Sequence, residues 1–257
     1  MPLTNIIIKD TPLKMKNGIL IIDKPEGISS AKTVFKIKKL LKLDKAGHTG
    51  TLDPFATGIL VLCLNRSTKE SVYFTNLDKT YTATMILGIS TDTQDLTGKI
   101  IRINSKKREQ KRLTRDEIES VFEKFQGDIW QTPPMYSAIK SKGKPLYRLA
   151  RKGIKIKVEP RKIKIYQLSL LKVRWDIYPS ISFKVKCSKG TYIRTLCNDI
   201  GDYLGFGAYL SNLRRVKVGN ISINQSISLA EFMELPSEKQ ASLIISASTV
   251  LDDKIIN

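Results

Sequence analysis

Asp53 is the residue best placed to do chemistry, because it is a single carboxylate in a glycine-rich loop. The loop runs from residue 47 to residue 58 and reads GHTGTLDPFATG. Glycine allows backbone conformations and close approaches that other residues forbid, and Pro54 restricts the backbone of Asp53 to extended values. A carboxylate held in this way can act as a nucleophile or as a proton acceptor. For an isolated Asp-Pro pair, an Asx-turn would be the simpler interpretation.

Few other side chains offer catalytic or metal-binding chemistry. His48 is the only histidine, so a Ser-His-Asp, Cys-His or two-histidine metal site would have to depend on that residue. Cys63, Cys187 and Cys197 are widely spaced and form no Cys-x-x-Cys pair, which argues against a disulfide framework or a structural zinc site. We therefore expect no metal, and a reducing compartment, the cytoplasm.

The charge of the chain predicts an anionic partner. Its 257 residues include 44 Lys and Arg against 24 Asp and Glu, a net charge of +20, which would repel itself without such a partner. Residues 140–164 contain eleven basic residues and one acid, Glu159, with Tyr136, Tyr147 and Tyr166 in or near the segment. Because cations neutralise phosphates and rings stack on bases, this pattern favours a nucleic-acid surface. A solvated lysine-rich face is the alternative.

Membrane and secreted classes do not fit the sequence. The longest unbroken apolar run, residues 59–64, is six residues long, whereas a membrane-spanning helix needs about 20. The N-terminus lacks the basic-then-apolar pattern of a signal peptide. With 41% apolar residues, the chain can bury a core as one large domain or two small ones.

The elements that must position these residues are intermixed strands and helices. Buried strands are predicted at residues 18–22, 59–64 and 80–87, and strict alternation predicts a half-buried strand at residues 181–187. Helices are predicted to begin after Ser29 or Ser30 and at the capping box formed by Thr114 and Glu117. A further helix is predicted after Thr191, which would be its N-cap. This mixture predicts an α+β fold with a mixed, largely antiparallel central sheet flanked by helices and loops.

Sequence blocks along most of the chain resemble those of the TruB-type tRNA pseudouridine synthases. The loop at residues 47–58 resembles the catalytic motif of that family, and further blocks follow in the same order over about residues 18–219. They include DKPEG at 23–27, KTY at 79–81, TDTQDLTG at 91–98, PPMYSAIK at 133–140, GKPLY at 143–147, KGTYIRTL at 189–196 and LRR at 213–215. The resemblance implies the pseudouridine synthase fold, with an active cleft across the middle of the sheet.

The same resemblance implies an enzyme, an isomerase that converts uridine to pseudouridine in the T loop of tRNA at position 55, without cofactor or metal. It assigns the catalytic role to Asp53 and makes Arg194 the cation that keeps this carboxylate ionised in a cleft. Tyr81 matches the ring on which the flipped uracil stacks. Its phenol could also assist removal of the C5 proton, although a phenol with a pKa of about 10 is a poor base at neutral pH. His48 matches a histidine that stacks in the vacated T loop.

The remaining candidates have supporting roles. Tyr192 and Asp95 are weaker base-binding candidates, and Asp95 could instead cap a turn. Lys24 and Pro25 are expected to support the catalytic loop. The predicted RNA-binding residues are Lys140, Lys142, Lys144, Arg148, Arg151, Lys152, Arg214 and Arg215.

We predict a catalytic domain at residues 1–219 that contains a basic RNA-clamping insertion at about 129–157. Many bacterial relatives carry a C-terminal PUA domain, and residues 220–257 are too few for one, so we expect a short tail with helices near 228–233 and 237–246. We also expect a cytoplasmic monomer that binds the tRNA T arm, without an obligatory protein partner or a membrane.

Two other functions are compatible with the same blocks. The first is a non-catalytic tRNA-binding or tRNA-folding factor, which would need the cations and rings but not Asp53, Tyr81 and Arg194 together. The second is the guide-RNA-dependent relative of the superfamily, which depends on partner proteins and a substantial PUA domain. The complete set of catalytic residues argues against the first, and the short tail argues against the second.

Overall fold

The computed structural model describes residues 17–104, 113–141, 143–154 and 156–248. The strands in these ranges, in chain order, are β1 (Gly18–Lys24), β2 (Ala46–His48), β3 (Thr57–Leu64), β4 (Lys79–Leu87), β5 (Ile89–Thr91), β6 (Ile100–Ile103), β7 (Gly127–Gln131), β8 (Lys140–Ser141), β9 (Lys144–Pro145), β10 (Arg161–Arg174), β11 (Ser180–Cys187), β12 (Ala208–Val218), β13 (Ile221–Ser222) and β14 (Ile227–Ser228).

The helices surround these strands. They are α1 (Ser30–Leu40), α2 (Ser71–Asn76), α3 (Arg115–Lys124), α4 (Leu146–Ala150), α5 (Ile193–Tyr203), α6 (Leu229–Glu234) and α7 (Ser237–Ser242), with short 3-10 helices at Asn65–Glu70 and Ile223–Gln225.

One large sheet carries the fold. Its strand order is β14-β1-β3-β12-β4-β11-β10-β7, and β2 and β13 are added beside β3 and β12. The β1–β14 and β3–β12 pairs are parallel and the other pairs of this sheet are antiparallel. The hairpins β5–β6 and β8–β9 stand apart from it. The prediction of an α+β fold with a mixed, largely antiparallel sheet is confirmed.

The main apolar core lies on one face of β4, β11 and β10. Side chains of α3 and α5 such as Phe122 and Leu196 pack there against Phe183 of β11. Leu52 and Phe55, which flank Asp53 along the chain, are buried in the same cluster. The loop of residues 47–58 is thus anchored in the core by its own apolar residues. It is called the catalytic loop below after its predicted role, and the face that carries it is called the active-site face.

Local predictions from the sequence are mostly confirmed. Ser29 caps α1 by accepting a hydrogen bond from the backbone of Lys32, and the capping box at the start of α3 forms. Buried and exposed side chains alternate along β11. The prediction that Thr191 caps a helix is wrong, because its hydroxyl donates to the carbonyl of Ser188 at 2.9 Å and α5 begins after Tyr192.

The described part of the segment after residue 219 completes one edge of the large sheet. Ile227 of β14 pairs with Ile22 of β1, and Ile245 exchanges two backbone hydrogen bonds with Ile19 at 2.8 and 3.0 Å. Phe232 of α6 is fully buried beside β1 and β3. The helices predicted near 228–233 and 237–246 therefore exist, with the bounds of α6 and α7, and they pack onto the same fold.

Candidate active site

The loop between β2 and β3 holds Asp53 at the surface of the core. The hydroxyl of Ser30 accepts from the backbone N–H of Leu52 at 2.8 Å and lies 2.9 Å from its carbonyl, so α1 fixes the residue before Asp53. The backbone of Asp53 accepts from Ala56 at 3.1 Å. The Asp53 side chain is 32% exposed. A rigid backbone thus presents a carboxylate that a ligand can reach.

Gly58 ends this loop where no other residue would fit. Its φ is +102°, and a Cβ placed there would collide with the backbone of Arg215 on β12. Thr57 and Gly58 pair with β12 in parallel at this point. The glycine lets β3 approach β12 closely, which brings the catalytic loop to the middle of the sheet.

Arg194, in the first turn of α5, is the centre of the site. Its Nε lies 3.0 Å from Oδ2 of Asp53, and its Nη1 lies 3.3 Å from Oδ2 of Asp95. The same guanidinium donates to the carbonyls of Thr93 at 3.1 Å and Tyr136 at 2.9 Å. With only 5% of its side chain exposed, Arg194 joins the catalytic loop, the loop after β5 and the insertion that follows β7.

Asp95 holds the Arg194 guanidinium in place and is itself fixed by hydrogen bonds. Its Oδ1 accepts from the hydroxyl of Thr93 at 2.7 Å, and from the backbone N–H and hydroxyl of Thr97 at 2.9 and 2.6 Å. Its other oxygen faces Arg194. Asp95 therefore stabilises a turn, as the structural alternative suggested, and also fixes the cation that faces Asp53.

Burial raises the pKa of the Asp53 carboxyl above its ordinary value, and the Arg194 guanidinium opposes this rise. Asp95 acts with burial to raise that pKa, while Lys24 acts with Arg194 to lower it. The ion pair is therefore what limits protonation of Asp53 in a site that excludes most of the solvent.

Lys24 at the end of β1 holds the loop from the other side. Its Nζ donates to the carbonyls of Pro25 and Ile28, both at 2.8 Å, and of Pro54 at 3.2 Å. The side chain is fully buried, and burial lowers its pKa to about 8. This geometry fits the predicted support of the catalytic loop, to which Pro25 contributes its carbonyl while its ring is exposed.

Arg215, predicted to bind RNA, is buried instead. Its Nε donates to the carbonyl of Ile59 at 2.7 Å and its Nη2 donates to the carbonyl of Gly50 at 3.0 Å. It also forms a hydrogen bond with the side chain of Tyr81. The cation satisfies carbonyls on both sides of the catalytic loop, so its position is explained by loop support without a phosphate contact.

Arg214 points to the neighbouring strands. Its Nη1 and Nη2 contact the two carboxylate oxygens of Asp23 at 3.1 and 2.6 Å, and Nη1 lies 3.3 Å from the hydroxyl of Thr57. This is a bidentate ion pair, and the Arg214 side chain is 37% exposed. Arg214 can therefore reach solvent while it ties β12 to β1.

Tyr81 of β4 lies beside the catalytic loop, in the apolar cluster that contains Leu52 and Phe55. Burial raises the pKa of its phenol, against the lowering effect of Arg215. The phenol is therefore protonated at neutral pH, which fits a stacking surface better than a base.

His48 and Tyr192 complete the predicted site residues on this face. His48 of β2 is half-buried, its Nδ1 is buried without a hydrogen-bond partner among the described residues, and burial with the charge of Arg215 lowers its pKa. The imidazole is thus neutral at neutral pH. Tyr192 is half-buried immediately before α5, and burial raises its pKa.

Two glutamines that the sequence analysis did not single out position the helix of Arg194. Gln131, at the end of β7 and 2% exposed, accepts from the backbone N–H of Tyr192 at 2.8 Å and donates to its carbonyl at 3.1 Å. Gln94 accepts from the hydroxyl of Thr195 at 2.9 Å. The only hints of such a role were the position of Gln131 two residues before the PPMYSAIK block and that of Gln94 within the TDTQDLTG block.

The basic insertion connects β7 and β10, which are neighbours in the sheet. It contains the hairpin β8–β9 and the short helix α4. Lys142 lies outside the described residues. The other predicted RNA-binding residues of the segment are exposed: Lys140, Lys144, Arg148, Arg151 and Lys152. Their cations and Tyr147, over whose ring Arg151 lies at 5.7 Å, are thus available to a ligand.

In the described ranges, no group of three or more His, Cys, Asp and Glu side chains is arranged to hold a metal ion. None of the helices α1 to α7 is long and apolar enough to span a membrane.

Comparisons with known proteins point to one family over most of the chain. The family model "TruB family pseudouridylate synthase (N terminal domain)" matches residues 38–193, and "tRNA pseudouridylate synthase B C-terminal domain" matches residues 194–252. A tRNA pseudouridine synthase B of Francisella philomiragia is 48% identical over 240 residues, covering 93% of this chain and 78% of the relative. One of Clostridium tetani is 47% identical over 233 residues, 88% of this chain and 78% of the relative.

Two solved structures share the fold at 28% sequence identity. A chain of a Cbf5-Nop10-Gar1 complex matches with a TM-score of 0.68 over 90% of this chain and 60% of its own length. A chain of an H/ACA RNP bound to a substrate RNA containing 2'-deoxyuridine matches with a TM-score of 0.62 over 86% of this chain and 53% of its own length. The present chain thus spans little more than half of these larger proteins.

Proposed function

Because the chain belongs to the TruB family of pseudouridylate synthases, we propose that it converts uridine to pseudouridine in tRNA, at position 55 of the T loop. The observation that carries this proposal is the Asp53–Arg194 ion pair at the centre of the sheet. A protein that only bound or folded tRNA would not need a partly exposed carboxylate held by a buried arginine. The curated relatives that support the proposal are named for this activity.

The proposed chemistry uses one carboxylate and conserves all atoms. The glycosidic bond between C1′ of the ribose and N1 of uracil breaks, the base rotates, and a new bond forms between C1′ and C5. The proton on C5 is then released and N1 takes up one proton, so the product is an isomer of the substrate. Asp53 acts as nucleophile or as proton acceptor at the ribose, which requires its ionised form. Arg194 favours that form and holds the carboxylate in one orientation.

The target base must leave the stacked T loop before Asp53 can reach it. We assign Tyr81 to stack on the flipped uracil, since its ring lies beside the catalytic loop and its phenol is protonated. We assign His48 to fill the space that the base leaves in the T loop. Its neutral imidazole presents a flat ring without adding a charge.

The grip on the T arm is assigned to the basic insertion. Its exposed cations can neutralise phosphates, and the carbonyl of Tyr136 at its start accepts from Arg194. RNA held by the insertion is thereby linked to the group that orients Asp53.

We further propose that residues 1–219 form the catalytic domain, and that the described residues after 219 stabilise the sheet edge rather than form a PUA domain. The protein would act in the cytoplasm as a monomer, without an obligatory protein partner. Its site would not require a cofactor, because the proposed isomerisation needs neither an oxidant nor a metal-bound nucleophile.

The decisive experiment uses the purified protein alone with an unmodified tRNA transcript, followed by chemical mapping of pseudouridine. We expect modification at position 55 only, and none in a transcript that carries cytidine at that position. A transcript that is bound but not modified would instead support the non-catalytic tRNA-binding function. Modification that requires an added guide RNA or partner protein would support the guide-dependent class.

A further inference from the structure

The face of the large sheet opposite the active-site face is exposed and charged. The proposed reaction does not use the charged residues of this opposite face. Side chains of successive strand residues point to opposite faces. Val185 and its partner Tyr81 point into the core of the active-site face, so Lys184 and Lys186 of β11 point away from it. We call this opposite side of β7, β10 and β11 the back face.

The back face is basic throughout its two longest strands. β10 and β11 together contain seven Lys and Arg and no Asp or Glu. All of these cations are exposed, and the strand register places six of them on the back face: Lys162, Lys164, Lys172, Arg174, Lys184 and Lys186.

Three of these cations are free to bind an external anion. Lys162 is paired with Asp128 at 2.9 Å. Within the described residues, in contrast, no carboxylate lies within 4.0 Å of the ammonium groups of Lys164, Lys184 or Lys186. Neighbouring cations on a rigid sheet repel one another, and a polyanion relieves that repulsion.

An aromatic ring lies among these cations. Tyr166 sits at a register shift in β10 and is 43% exposed. The Nζ atoms of Lys164 and Lys186 each lie 5.5 Å from the centre of its ring, while its hydroxyl forms a hydrogen bond with Asp78. A ring fixed in this way between two cations can stack on a base while the cations contact the adjoining phosphates.

Polar and aromatic side chains extend the back face on both sides. Toward β4, the hydroxyls of Thr84 and Ser182 lie 3.0 Å apart and can donate to phosphate oxygens. Toward the sheet edge, Trp130 of β7 stands opposite Lys162 and is 71% exposed. Cations, hydroxyls and exposed rings on one surface fit RNA better than an acidic protein, which offers no bases to stack.

The back face is continuous with the basic insertion. The insertion leaves the sheet at the end of β7 and returns at Arg161, the first residue of β10. Lys162 and Lys164 are therefore the first back-face cations that an RNA strand would meet if it passed from the insertion over this edge of the sheet. This continuity favours the substrate tRNA itself as the occupant over a second RNA molecule.

We propose that the back face binds the substrate tRNA outside its T arm, through Lys164, Lys184, Lys186 and Tyr166. The proposal rests on the proposed function, because it takes tRNA as the substrate. It gives the protein an RNA contact beyond the T arm that does not depend on a C-terminal module.

The test compares full-length tRNA with an isolated T-arm hairpin. The back-face variant carries Lys164→Gln, Lys184→Gln and Lys186→Gln. A matched control carries Lys38→Gln, Lys39→Gln and Lys239→Gln, which removes the same charge from exposed positions on α1 and α7. Affinity is measured over a range of salt concentrations, together with the stoichiometry of the complex and pseudouridine formation in both RNAs.

We expect the back-face variant to lose at least about tenfold in affinity for full-length tRNA at about 0.1 M salt, and its salt slope to fall by up to about 0.9 per lost duplex contact. Binding and conversion of the hairpin should match the wild type, as should the control variant with both RNAs. Tyr166→Leu should weaken tRNA binding without changing the salt slope.

Three outcomes would overturn the proposal: a back-face variant that binds full-length tRNA like the wild type, an equal loss with the hairpin, or a wild-type complex with two tRNA molecules of which the variant loses one. Failure of the proposed function looks different, since the wild type would then convert neither RNA. A thermal stability of the back-face variant that is no lower than that of the wild type would exclude a folding defect.

Discussion

Asp53 is the residue on which the proposed chemistry depends most directly. Asp53→Asn keeps the shape of the side chain but removes its charge and its capacity as a nucleophile. We expect turnover to fall by far more than tenfold, while affinity for tRNA changes little because the insertion is untouched. Single-turnover pseudouridine formation and equilibrium binding measure the two effects. A loss within about tenfold, or about 1.4 kcal/mol in the barrier, would reject Asp53 as the catalytic group.

Arg194 should reveal itself in the pH dependence of the rate. The reaction requires ionised Asp53, so the rate falls as the pH drops below the pKa of that carboxyl. Arg194 opposes the rise of this pKa caused by burial, and Arg194→Ala should therefore move the acid limb of the profile to higher pH. Arg194→Lys keeps a positive charge but not the planar fork of the guanidinium. The acid limb of its pH profile should therefore move less than that of Arg194→Ala, and its rate should lie between those of Arg194→Ala and the wild type.

The fold must be checked beside this profile, because Arg194→Ala leaves Asp95 buried without its cation. Breaking a buried pair in this way costs about 3–5 kcal/mol of stability, and thermal unfolding measures that loss. If Arg194→Ala does not fold, Arg194→Lys still decides the matter. An acid limb at the wild-type position, with full activity, would show that the ion pair does not control Asp53.

At the scale of elements, the start of α5 is the junction that sets the position of Arg194. Tyr192, the N-cap residue of this helix, makes no side-chain cap hydrogen bond. Gln131 instead binds both backbone groups of Tyr192. Gln131→Met keeps the length of the side chain but removes both hydrogen bonds, which are worth about 1 kcal/mol each. We expect a lower kcat with little change in KM, and an acid limb shifted to higher pH as for Arg194→Ala.

Gln131→Glu offers a sharper comparison, because it retains the acceptor for the N–H of Tyr192 and loses the donor to its carbonyl. Because this position is only 2% exposed, Gln131→Glu should nevertheless be less stable than Gln131→Met, since its buried charge is desolvated and faces that carbonyl. A purely structural role would lower the thermal stability of both variants and leave the pH profile of the rate unchanged, contrary to our expectation.

The basic insertion should govern affinity for the T arm. Replacing Lys140, Lys144 and Arg148 by Ala removes three exposed cations between β7 and β10. We expect weaker binding of both full-length tRNA and the T-arm hairpin, with a salt slope reduced by up to about 0.9 per lost duplex contact and about 0.7 per single-stranded contact. The rate on bound RNA should change less than the affinity. Unchanged slopes with both RNAs would show that these cations face only solvent.

The elements that sequence analysis predicted are those with a local signal. Alternation located β11, and the capping box located the start of α3. The sheet order was beyond such reasoning, because β12 enters between β3 and β4 and this pairing joins residues far apart in sequence. The site shows the same division. Asp53 and Arg194 were found because they lie in family blocks. Gln131 was missed because an uncharged side chain gives no signal of a role in the site. Arg215 was assigned to RNA because the sequence does not show which carbonyls lack donors.

At the scale of the whole molecule, the net charge of +20 links stability and RNA binding to salt in opposite directions. Repulsion among like charges destabilises the compact state. Raising NaCl from about 0.1 M to about 1 M shortens the screening length from about 10 Å to about 3 Å. We therefore expect the thermal unfolding temperature to rise with salt, while affinity for tRNA falls steeply because counterion release is lost.

The two dependences can be separated with one protein. Thermal unfolding of the free protein in NaCl gives the first, and tRNA binding over the same salt range gives the second. The back-face variant carries three fewer positive charges, so its unfolding temperature should rise less with salt than that of the wild type. If salt instead lowered the unfolding temperature, attraction within local ion pairs such as Arg214–Asp23 would outweigh the overall repulsion. The cations would then be neutralised by carboxylates of the fold, contrary to our expectation that they are available to RNA.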